Sequence, residues 1–349
     1  MARREDPADD HGTGARAARA VPGPAGRTRG DERGGAASSG GERAAIELLR
    51  RTLPAAPAGE TWIGDDAAVL ENPGTGSLLL ATDCVVEGVH VDLRHSSLAD
   101  VGWKSLAVNV SDLAAMAGTP VAAVVAVAGV HVDQLAPLYE GLLEAAGHYR
   151  CPVVGGDLSA GPVLTVSIAV LGSVGERPVL RSGARPGDAL LVTGALGRSA
   201  AGLRLLRDGY TPGGRAAAPH SPDAGLVEAH RRPRALLEHG WAAARSGATA
   251  MIDCSDGLAI DLDRLASASG VGVELSAVPV AAGATLADAL GGGEDYELVF
   301  AAPDPERVRA AFAAAGLAEP VAIGTCVADP WIRTLDGAPL AVTGFEHRM

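Results

Sequence analysis

The sequence predicts a mixed α/β protein with two domains, and three observations support this prediction. Apolar runs of strand length alternate with longer segments whose apolar residues have helical spacing. The chain has 349 residues, of which 47% are hydrophobic, and this is enough for two globular domains. A turn-rich segment, 181–188, interrupts the pattern near its middle. We therefore expect a first domain over residues 42–175 and a second over residues 176–349.

The segment before the first domain has a different composition. Residues 1–41 contain almost no large apolar side chains, so they cannot bury enough surface to offset the entropy lost on ordering. We interpret them as a disordered tail. After Glu42, the residues Ile46, Leu49 and Leu53 recur at helical spacing and predict a short amphipathic helix.

The first domain is predicted from runs rich in β-branched residues and from longer helical patterns. The helix over Leu98–Met116 is apolar on nearly all sides, so we expect it to be buried. In chain order the predicted elements are strands at Leu78–Ala81 and Val85–Val91, this helix, a strand at Val121–Val130, a helix at Val132–His148, and strands at Cys151–Val154 and Val163–Leu171.

The second domain is predicted in the same way, with a Gly, Pro and Ala-rich loop over residues 208–224. Its predicted strands are Ala189–Val192, Ala248–Ile252, Leu298–Ala301, Val321–Gly324 and Ile332–Thr334. Its predicted helices are Ala200–Arg207, Arg234–Ala244, Leu258–Ser269 and Pro305–Ala315.

Composition excludes several classes of function. The formal charge of −13 argues against a nucleic-acid partner, which would require a basic face. The longest strongly apolar run, Val121–Val130, is too short to span a membrane. The four cysteines have no paired spacing that indicates zinc or disulfides, and the N-terminus has no secretory signal. We therefore expect a soluble, cytoplasmic protein.

Aspartates recur at the ends of apolar runs or on the polar side of an apolar helix. Five acidic positions close together would repel one another unless cations lie between them. Carboxylate oxygens are the ligands that magnesium prefers, often together with substrate phosphates. The sequence therefore indicates a protein that binds phosphates through metal, although single aspartates at such places are also common as turn residues or helix caps. The five positions are Gly64-Asp65-Asp66, Thr82-Asp83, Ser111-Asp112, Gly156-Asp157 and Asp253-Cys254-Ser255-Asp256.

The buried helix carries a polar stripe of its own. Ser105, Asn109 and Asp112 share one narrow face, and buried polar groups require partners. The stripe faces either a site or the backbone of another element, and we favour the site. Lys104, the single lysine of the chain, lies eight residues before Asp112, and the sequence does not assign it a role.

Ten short motifs occur in order over residues 42–349. They are IGDDAAVL, LLLATD, EGVH, GWKSLAVNVSDLAAMAG, VVGGDLS, RSGARPGD, VTGALGRSAAGL, IDCSDGL, GGGEDYELVF and GFEH. Each motif is weak alone, but their order is specific. Taken together they resemble the thiamine-monophosphate kinase family, within the wider group of ATP-dependent enzymes that includes aminoimidazole ribonucleotide synthetase.

This resemblance implies roles for particular residues. It implies magnesium ligands at Asp66, Thr82, Asp83, Asp112, Asp157, Asp253 and Asp256. It implies ATP contacts at Tyr139, Gly156, Asp157, Arg181 and Ser255. Thiamine monophosphate would be held by His90, Glu294 and Phe345. Two positions depart from the family: Ala81 replaces a hydroxyl residue of some members, and Phe345 replaces a frequent tryptophan, which should weaken stacking.

The resemblance also implies a fold and an activity. The fold is that of aminoimidazole ribonucleotide synthetase, with N-terminal domains that bind metal and ATP and pair in a homodimer. The activity is magnesium-dependent transfer of the γ-phosphoryl group of ATP to thiamine monophosphate, by direct in-line attack and without a covalent nucleophile on the protein. The alternative is a related enzyme that activates a carbonyl or amide oxygen in purine-type biosynthesis. Such an enzyme would be expected to lack the GGGEDYEL and GFEH motifs.

Overall fold

The computed structural model describes residues 55–62, 65–71, 76–175, 177–210 and 222–347. Within these ranges the chain forms two β-sheets with helices packed against them, so the prediction of a mixed α/β fold is confirmed. The predicted tail, the helix predicted after Glu42 and Gly64 lie outside the described residues. The domain boundary near residue 175 stays a prediction.

The first sheet has five strands in the order β1-β2-β5-β3-β4. Neighbouring strands pair antiparallel except β3 and β4, which are parallel. The strands are β1 (Ala68–Glu71), β2 (Ser77–Val86), β3 (Thr119–Ala128), β4 (Val153–Ser159) and β5 (Thr165–Val174). Two helices, α1 (Leu98–Ala115) and α2 (Val132–Tyr149), follow β2 and β3 in the chain.

Strands β2 and β4 differ from the prediction at their aspartates. We predicted that β2 ends at Thr82-Asp83 and that β4 precedes Asp157, but both strands continue through these residues. The backbone of β2 pairs with β5 for ten residues, and a polar side chain does not interrupt such pairing. These aspartates therefore lie within strands, and the direction of each side chain follows from the alternation of the strand.

The second sheet has seven strands in the order β12-β11-β8-β10-β6-β9-β7. The strands are β6 (Ala189–Val192), β7 (Ala250–Asp253), β8 (Gly272–Leu275), β9 (Leu298–Ala302), β10 (Val321–Val327), β11 (Arg333–Leu335) and β12 (Ala338–Pro339). The helices are α3 (Arg198–Arg207), α4 (Pro222–Arg231), α5 (Leu237–Ser246), α6 (Leu258–Ser269), α7 (Leu286–Gly291) and α8 (Pro305–Ala314). Strands β1, β8 and β12 and helices α4 and α7 were not predicted. All of them except α4 are short, and α4 begins in a segment with the composition of a loop.

Helix α1 lies between the two halves of the chain. It begins with a capping box in which Ser97 and Asp100 each accept a backbone N–H of the other. It crosses α2 closely, since a Cβ added at Gly102 would lie 2.0 Å from the carbonyl oxygen of Leu138. Its buried faces contact the first sheet on one side and α5 and β7 on the other. The prediction that this helix is buried is confirmed.

Helices of the described residues were also compared with the requirements of a membrane span. None of them combines the length and the apolar character that crossing a bilayer requires.

Candidate functional site

Polar residues on α1 connect the first sheet to the second. The side-chain oxygen of Asn109 accepts the backbone N–H of Asp83 at 2.8 Å. The Ser111 hydroxyl donates to Oδ2 of Asp253, at the end of β7, at 2.6 Å. Ser105, in contrast, donates to the carbonyl of Val101 within its own helix. Of the three residues in the predicted polar stripe, Asn109 and Asp112 therefore contribute to the site, and Ser105 does not.

Three predicted metal ligands converge beside this helix. Oxygen atoms of Asp66, Asp112 and Asp253 all lie within 4.8 Å of one another. Burial raises the pKa of Asp112 well above its usual range, and repulsion by Asp83, Asp253 and Asp66 raises it further. Burial likewise raises the pKa of Asp253 well above its usual range, with repulsion by Asp66 as the next cause. Two buried carboxylates and the half-buried carboxylate of Asp112 offer oxygen ligands that fit a hard divalent cation, which would offset this repulsion.

Arg181 is the cation that contacts this cluster in the structure. Its Nε lies 3.0 Å from Oδ2 of Asp66 and its Nη2 lies 2.8 Å from Oδ1, in a bidentate pair. The backbone N–H of Arg181 donates to Asp65. Burial and then repulsion by Asp66 raise the pKa of Asp65 to about 7. Arg181, predicted to contact ATP, thus pairs with a predicted metal ligand.

A cavity of about 350 Å³ lies beside the acidic cluster and brings together six of the predicted residues. It is lined by residues from β2 and its following turn, from α1 and α3, from the loop after β7, from the loop before β9 and from the C-terminal segment. The predicted residues that line it are Asp83, His90, Ser255, Asp256, Glu294 and Phe345. The lining residues that sequence reasoning did not assign to a site include Leu203, Arg207, Tyr296 and His347.

Aromatic rings form one wall of this cavity. The ring centroids of His90 and Phe345 lie 6.4 Å apart, and that of His347 lies 5.1 Å from His90 and 4.9 Å from Phe345. The backbone N–H of Phe345 donates to the carbonyl of Asp256, which holds the C-terminal segment against the cavity. A flat heterocyclic ligand fits such a wall, because aromatic faces attract both rings and cations.

The loop between β7 and α6 carries Ser255 and Asp256. Helix α6 begins after Gly257 and has no side-chain cap, so neither residue caps it. Instead, Asp261 accepts the backbone N–H groups of Asp256 and Gly257, and Arg264 pairs with both Asp256 and Asp261. Of the two interpretations that the sequence allowed, a cap or a site, the structure is consistent with the site.

The glycine-rich loop before β9 has an unusual backbone. Glu294 and Tyr296 have φ values of 58° and 53°, in the left-handed region that residues with a Cβ rarely adopt. The loop is held against the neighbouring loop, since Glu294 N–H donates to Ser255 and Tyr296 N–H donates to Cys254. Strained backbone of this kind is concentrated at functional sites, where the surrounding structure maintains it.

The turn before α3, which the sequence suggested as a weak phosphate site, already has an anionic partner. The carboxylate of Asp295 accepts the backbone N–H groups of Gly197 and Ser199 at 2.6 Å and 3.2 Å. Burial nevertheless raises the pKa of Asp295 to about 6. This turn therefore binds the glycine-rich loop of its own chain.

Asp157 and Gly156 do not join the acidic cluster within this chain. The pairing register places Asp157 in one row with Ala126, Ser167 and Cys84, on the face of the first sheet opposite α1. Asp83 and the buried Val85 point to the other face. Three strand spacings separate Asp157 from β2, roughly 14 Å.

Two further predicted residues lie apart from the cluster. Thr82 lies on the same open face as Asp157, and its hydroxyl donates to the carbonyl of Ile168 at 2.8 Å. Thr82 and Asp83 line a second, shallow pocket together with His90. Tyr139 is half-buried on α2 and packs against the core of the first sheet. The roles of Thr82, Tyr139, Gly156 and Asp157 stay predictions.

Comparisons with known proteins agree with this fold. Residues 64–174 match the family described as AIR synthase related protein, N-terminal domain, and residues 185–334 match its C-terminal domain. The two-sheet fold with an acidic cluster therefore belongs to the AIR synthase related class of proteins.

Relatives within this class are more specific. The chain is 38% identical to the thiamine-monophosphate kinase of Salmonella typhimurium over 309 residues, covering 82% of this chain and 92% of that one. It is 41% identical to the thiamine-monophosphate kinase of Mycobacterium tuberculosis over 261 residues, covering 69% and 75%. The chain belongs to the thiamine-monophosphate kinase family, and it is a kinase.

A solved structure shows the same relationship. AaThiL complexed with AMPPCP and TMP is similar to this chain with a TM-score of 0.78 and 33% identity. The similarity covers 88% of this chain and 97% of that one. The family membership that the ordered motifs predict is thus confirmed.

Proposed function

We propose that this chain transfers the γ-phosphoryl group of ATP to thiamine monophosphate, giving thiamine diphosphate and ADP. One observation carries the proposal: His90, Glu294 and Phe345 line a cavity whose other lining residues include Asp83 and Asp256. A substrate with a heterocycle at the aromatic wall would place its phosphate toward these carboxylates. The relatives named thiamine-monophosphate kinase support this choice of substrate.

The carboxylates would hold magnesium ions together with the substrate phosphates. Asp66, Asp112 and Asp253 form the cluster whose oxygen atoms converge, and Asp83 and Asp256 line the adjacent cavity. The resemblance adds Thr82 and Asp157. Bound magnesium would supply positive charge that neutralises the phosphates of the two substrates. Unit charges of one sign at 4 Å repel by about 4 kcal/mol at an effective dielectric near 20, so this neutralisation is substantial.

The chain's own residues would bind and align the two phosphates. In this mechanism, a terminal phosphate oxygen of thiamine monophosphate forms the new bond to the γ-phosphorus, while the bond from that phosphorus to the β–γ bridging oxygen breaks and ADP leaves. The attacking oxygen is already anionic, so no side chain has to act as a covalent nucleophile or strong base. The resemblance implies that Arg181, Ser255, Tyr139, Gly156 and Asp157 would contact ATP.

We further propose that the chain acts as a homodimer that pairs through the open face of the first sheet. This face exposes Leu80 and Val124, which are 42% and 44% exposed, beside Thr82 and Asp157. Exposed apolar residues grouped on one sheet face are typical of an interface. A second copy on this face would cover Asp157 and place it near a site that its own chain does not complete.

A product assay tests the reaction itself. We expect ADP and thiamine diphosphate, in equal amounts, from ATP with thiamine monophosphate and magnesium. Free thiamine and a purine precursor should give little product under the same conditions. Turnover with the purine precursor instead would favour the alternative activity, and a phosphorylated protein trapped during turnover would contradict direct transfer.

Phe345→Ala tests the assignment of the aromatic wall. Loss of ring stacking and of attraction between the ring and a cationic heterocycle should raise the KM for thiamine monophosphate about 3- to 30-fold. The KM for ATP should stay within about twofold. Trp331→Ala is a matched control, because Trp331 is 89% exposed and is not part of the cavity. Equal effects of Phe345→Ala on both substrates would contradict the assignment.

A further inference from the structure

The single lysine of the chain is buried beside the cavity. Lys104 is only 2% exposed, yet its Nζ lies 2.5 Å from Oε1 of Glu294, which lines the cavity. The same Nζ donates to the backbone carbonyl of His90 at 3.1 Å. One ammonium group on α1 therefore contacts both the glycine-rich loop and the turn after β2.

The other oxygen of Glu294 has partners as well. Oε2 lies 3.3 Å from Nδ1 of His230 on α4 and 3.4 Å from the hydroxyl of Ser199 on α3. The His230 and Ser199 side chains contact each other at 2.9 Å. Three helices thus hold one carboxylate, on a residue whose backbone already has a left-handed φ of 58°.

The charge balance shows which partner dominates. Burial alone would raise the pKa of Glu294, but the Lys104 ammonium and then His230 outweigh it and lower this pKa to about 2. Burial lowers the pKa of His230, so the imidazole is mainly neutral at pH 7. Lys104 is therefore the cation that keeps Glu294 ionised, while His230 and Ser199 fix its orientation.

We propose that Lys104 is a positioning residue that sets the substrate-side wall of the cavity by fixing Glu294 and the His90 turn relative to each other. This inference rests on the proposed function, since it takes the cavity as the site for thiamine monophosphate. With 2% of its surface exposed, Lys104 does not reach the ligand itself and acts through Glu294 and His90. A point charge with three donors suits this task, because it can serve two groups in different directions.

If the ion pair between Lys104 and Glu294 only stabilised the fold, apolar residues would be expected in its place. Buried ion pairs are rarely the most stable choice for a core, and apolar residues of similar size often serve better. Here the pair holds a carboxylate whose side chain remains 25% exposed to the cavity. Lys104, together with His230 and Ser199, therefore holds the Glu294 carboxylate in one orientation, in which it can accept a hydrogen bond from the ligand.

The test uses Lys104→Met, Glu294→Gln and the double variant in the full chain. Lys104→Met should raise the KM for thiamine monophosphate about 10- to 100-fold, as expected for losing a charged hydrogen bond, with the KM for ATP within about twofold. In the Glu294→Gln background the same change should have a much smaller effect, about twofold, because the group it positions is already altered. Calorimetric titration with thiamine monophosphate should show the same pattern without turnover.

Two further variants separate positioning from folding. Ser105→Ala is the matched control, since it removes a buried hydroxyl from the same helix that bonds only within α1, and it should leave both KM values unchanged. Lys104→Arg keeps the charge but changes its geometry, and should raise the KM for thiamine monophosphate less than Lys104→Met does. If Lys104→Met does not fold, Lys104→Arg decides the question by the ratio of its effects on the two substrates.

These experiments test the positioning role of Lys104 separately from the activity toward thiamine monophosphate. Wild-type protein that neither binds nor phosphorylates thiamine monophosphate would overturn both. Active wild type combined with equal effects of the Lys104 variants on both substrates would overturn only the positioning role. An effect of Lys104→Met that is as large in the Glu294→Gln background as in wild type would do the same.

Discussion

Arg181 and Asp66 form a bidentate pair at the edge of the acidic cluster, with contacts of 3.0 Å and 2.8 Å. The resemblance to the family implies that Asp66 binds metal and that Arg181 binds ATP. In the structure these two residues bind each other. A cation bound to Asp66 would compete with the guanidinium, which would then be available for a phosphate. If the two residues have the roles that the resemblance implies, the pair would connect metal binding to nucleotide binding.

The first expectation concerns Arg181→Gln. Removing the guanidinium should raise the KM for ATP about 10- to 100-fold, because a charged hydrogen bond to phosphate is lost, and should change the KM for thiamine monophosphate less. Steady-state kinetics with each substrate varied in turn measures both values. Arg185→Gln, which changes an exposed arginine of the same segment, is the control. An unchanged KM for ATP would remove Arg181 from the nucleotide site.

The second expectation concerns the stability of the cluster without metal. Asp253→Asn removes one of three converging charges and keeps an oxygen that can accept from Ser111. Because burial and repulsion raise the pKa of Asp253, the charged form is unfavourable, and the variant should be more stable in chelator by about 1 kcal/mol. Its Tm should rise by roughly 2–4 °C, while magnesium-dependent activity should fall about 100-fold or more.

Thermal unfolding with chelator and with magnesium measures this contrast. Magnesium should raise the Tm of the wild type more than that of the variant, since the ligand set is intact only in the wild type. Asp336→Asn is the control, because it changes an exposed aspartate in the turn between β11 and β12. Loss of stability in chelator together with retained activity would exclude Asp253 as a metal ligand.

The third expectation is a pH dependence from Glu294. Its pKa is about 2 in the folded chain against an ordinary 4.5, so its interactions stabilise the fold fully above about pH 4.5. This stabilisation decreases as the pH falls from 4.5 toward 2. Glu294→Gln should therefore be less stable than wild type at pH 7, by about 3 kcal/mol, because Lys104 loses its buried partner.

Urea unfolding of both proteins at several pH values tests this dependence. The difference between them should be constant from pH 7 to pH 5 and should decrease by about 1 kcal/mol near pH 3.5–4. The comparison cancels the titration of the other carboxylates, which both proteins share. If the difference in the free energy of unfolding does not change with pH, Lys104 does not lower the pKa of Glu294.

The sequence identified much of the site because its residues follow apolar runs in a recognisable order. Asp66, Asp112 and Asp253 converge as the hypothesis of one acidic pocket requires. Asp83 and Asp256 line the adjacent cavity. Each of these residues lies within or close to a strand, or on α1, which contacts both sheets, so local pattern was enough to suggest it.

The remaining features depend on contacts that local pattern does not contain. The strand order places β5 and β3 between β2 and β4, and this separates Asp157 from Asp83. The ion pair between Lys104 and Glu294 joins residues that are 190 positions apart in the sequence. The sequence shows that Lys104 is the single lysine of the chain, but it does not show that Glu294 is its partner.

The last expectation concerns Asp157, which lies on the face opposite the acidic cluster of its own chain. If the homodimer pairs through this face, Asp157 acts in the site of the neighbouring subunit, as an isologous interface allows. Homodimers of Asp157→Asn and of Asp253→Asn should each be inactive. A heterodimer of the two variants should retain about half of the wild-type activity, because one of its two sites then has both aspartates.

Co-expression of the two variants with different affinity tags, followed by two purification steps, isolates this heterodimer. Activity in the heterodimer requires that Asp157 and Asp253 of one site come from different chains, since each chain lacks one of them. An inactive heterodimer would mean that both residues act within one chain, which the sheet register does not allow without rearrangement. Full activity of Asp157→Asn alone would remove Asp157 from the site, and a monomer in gel filtration would exclude the shared arrangement.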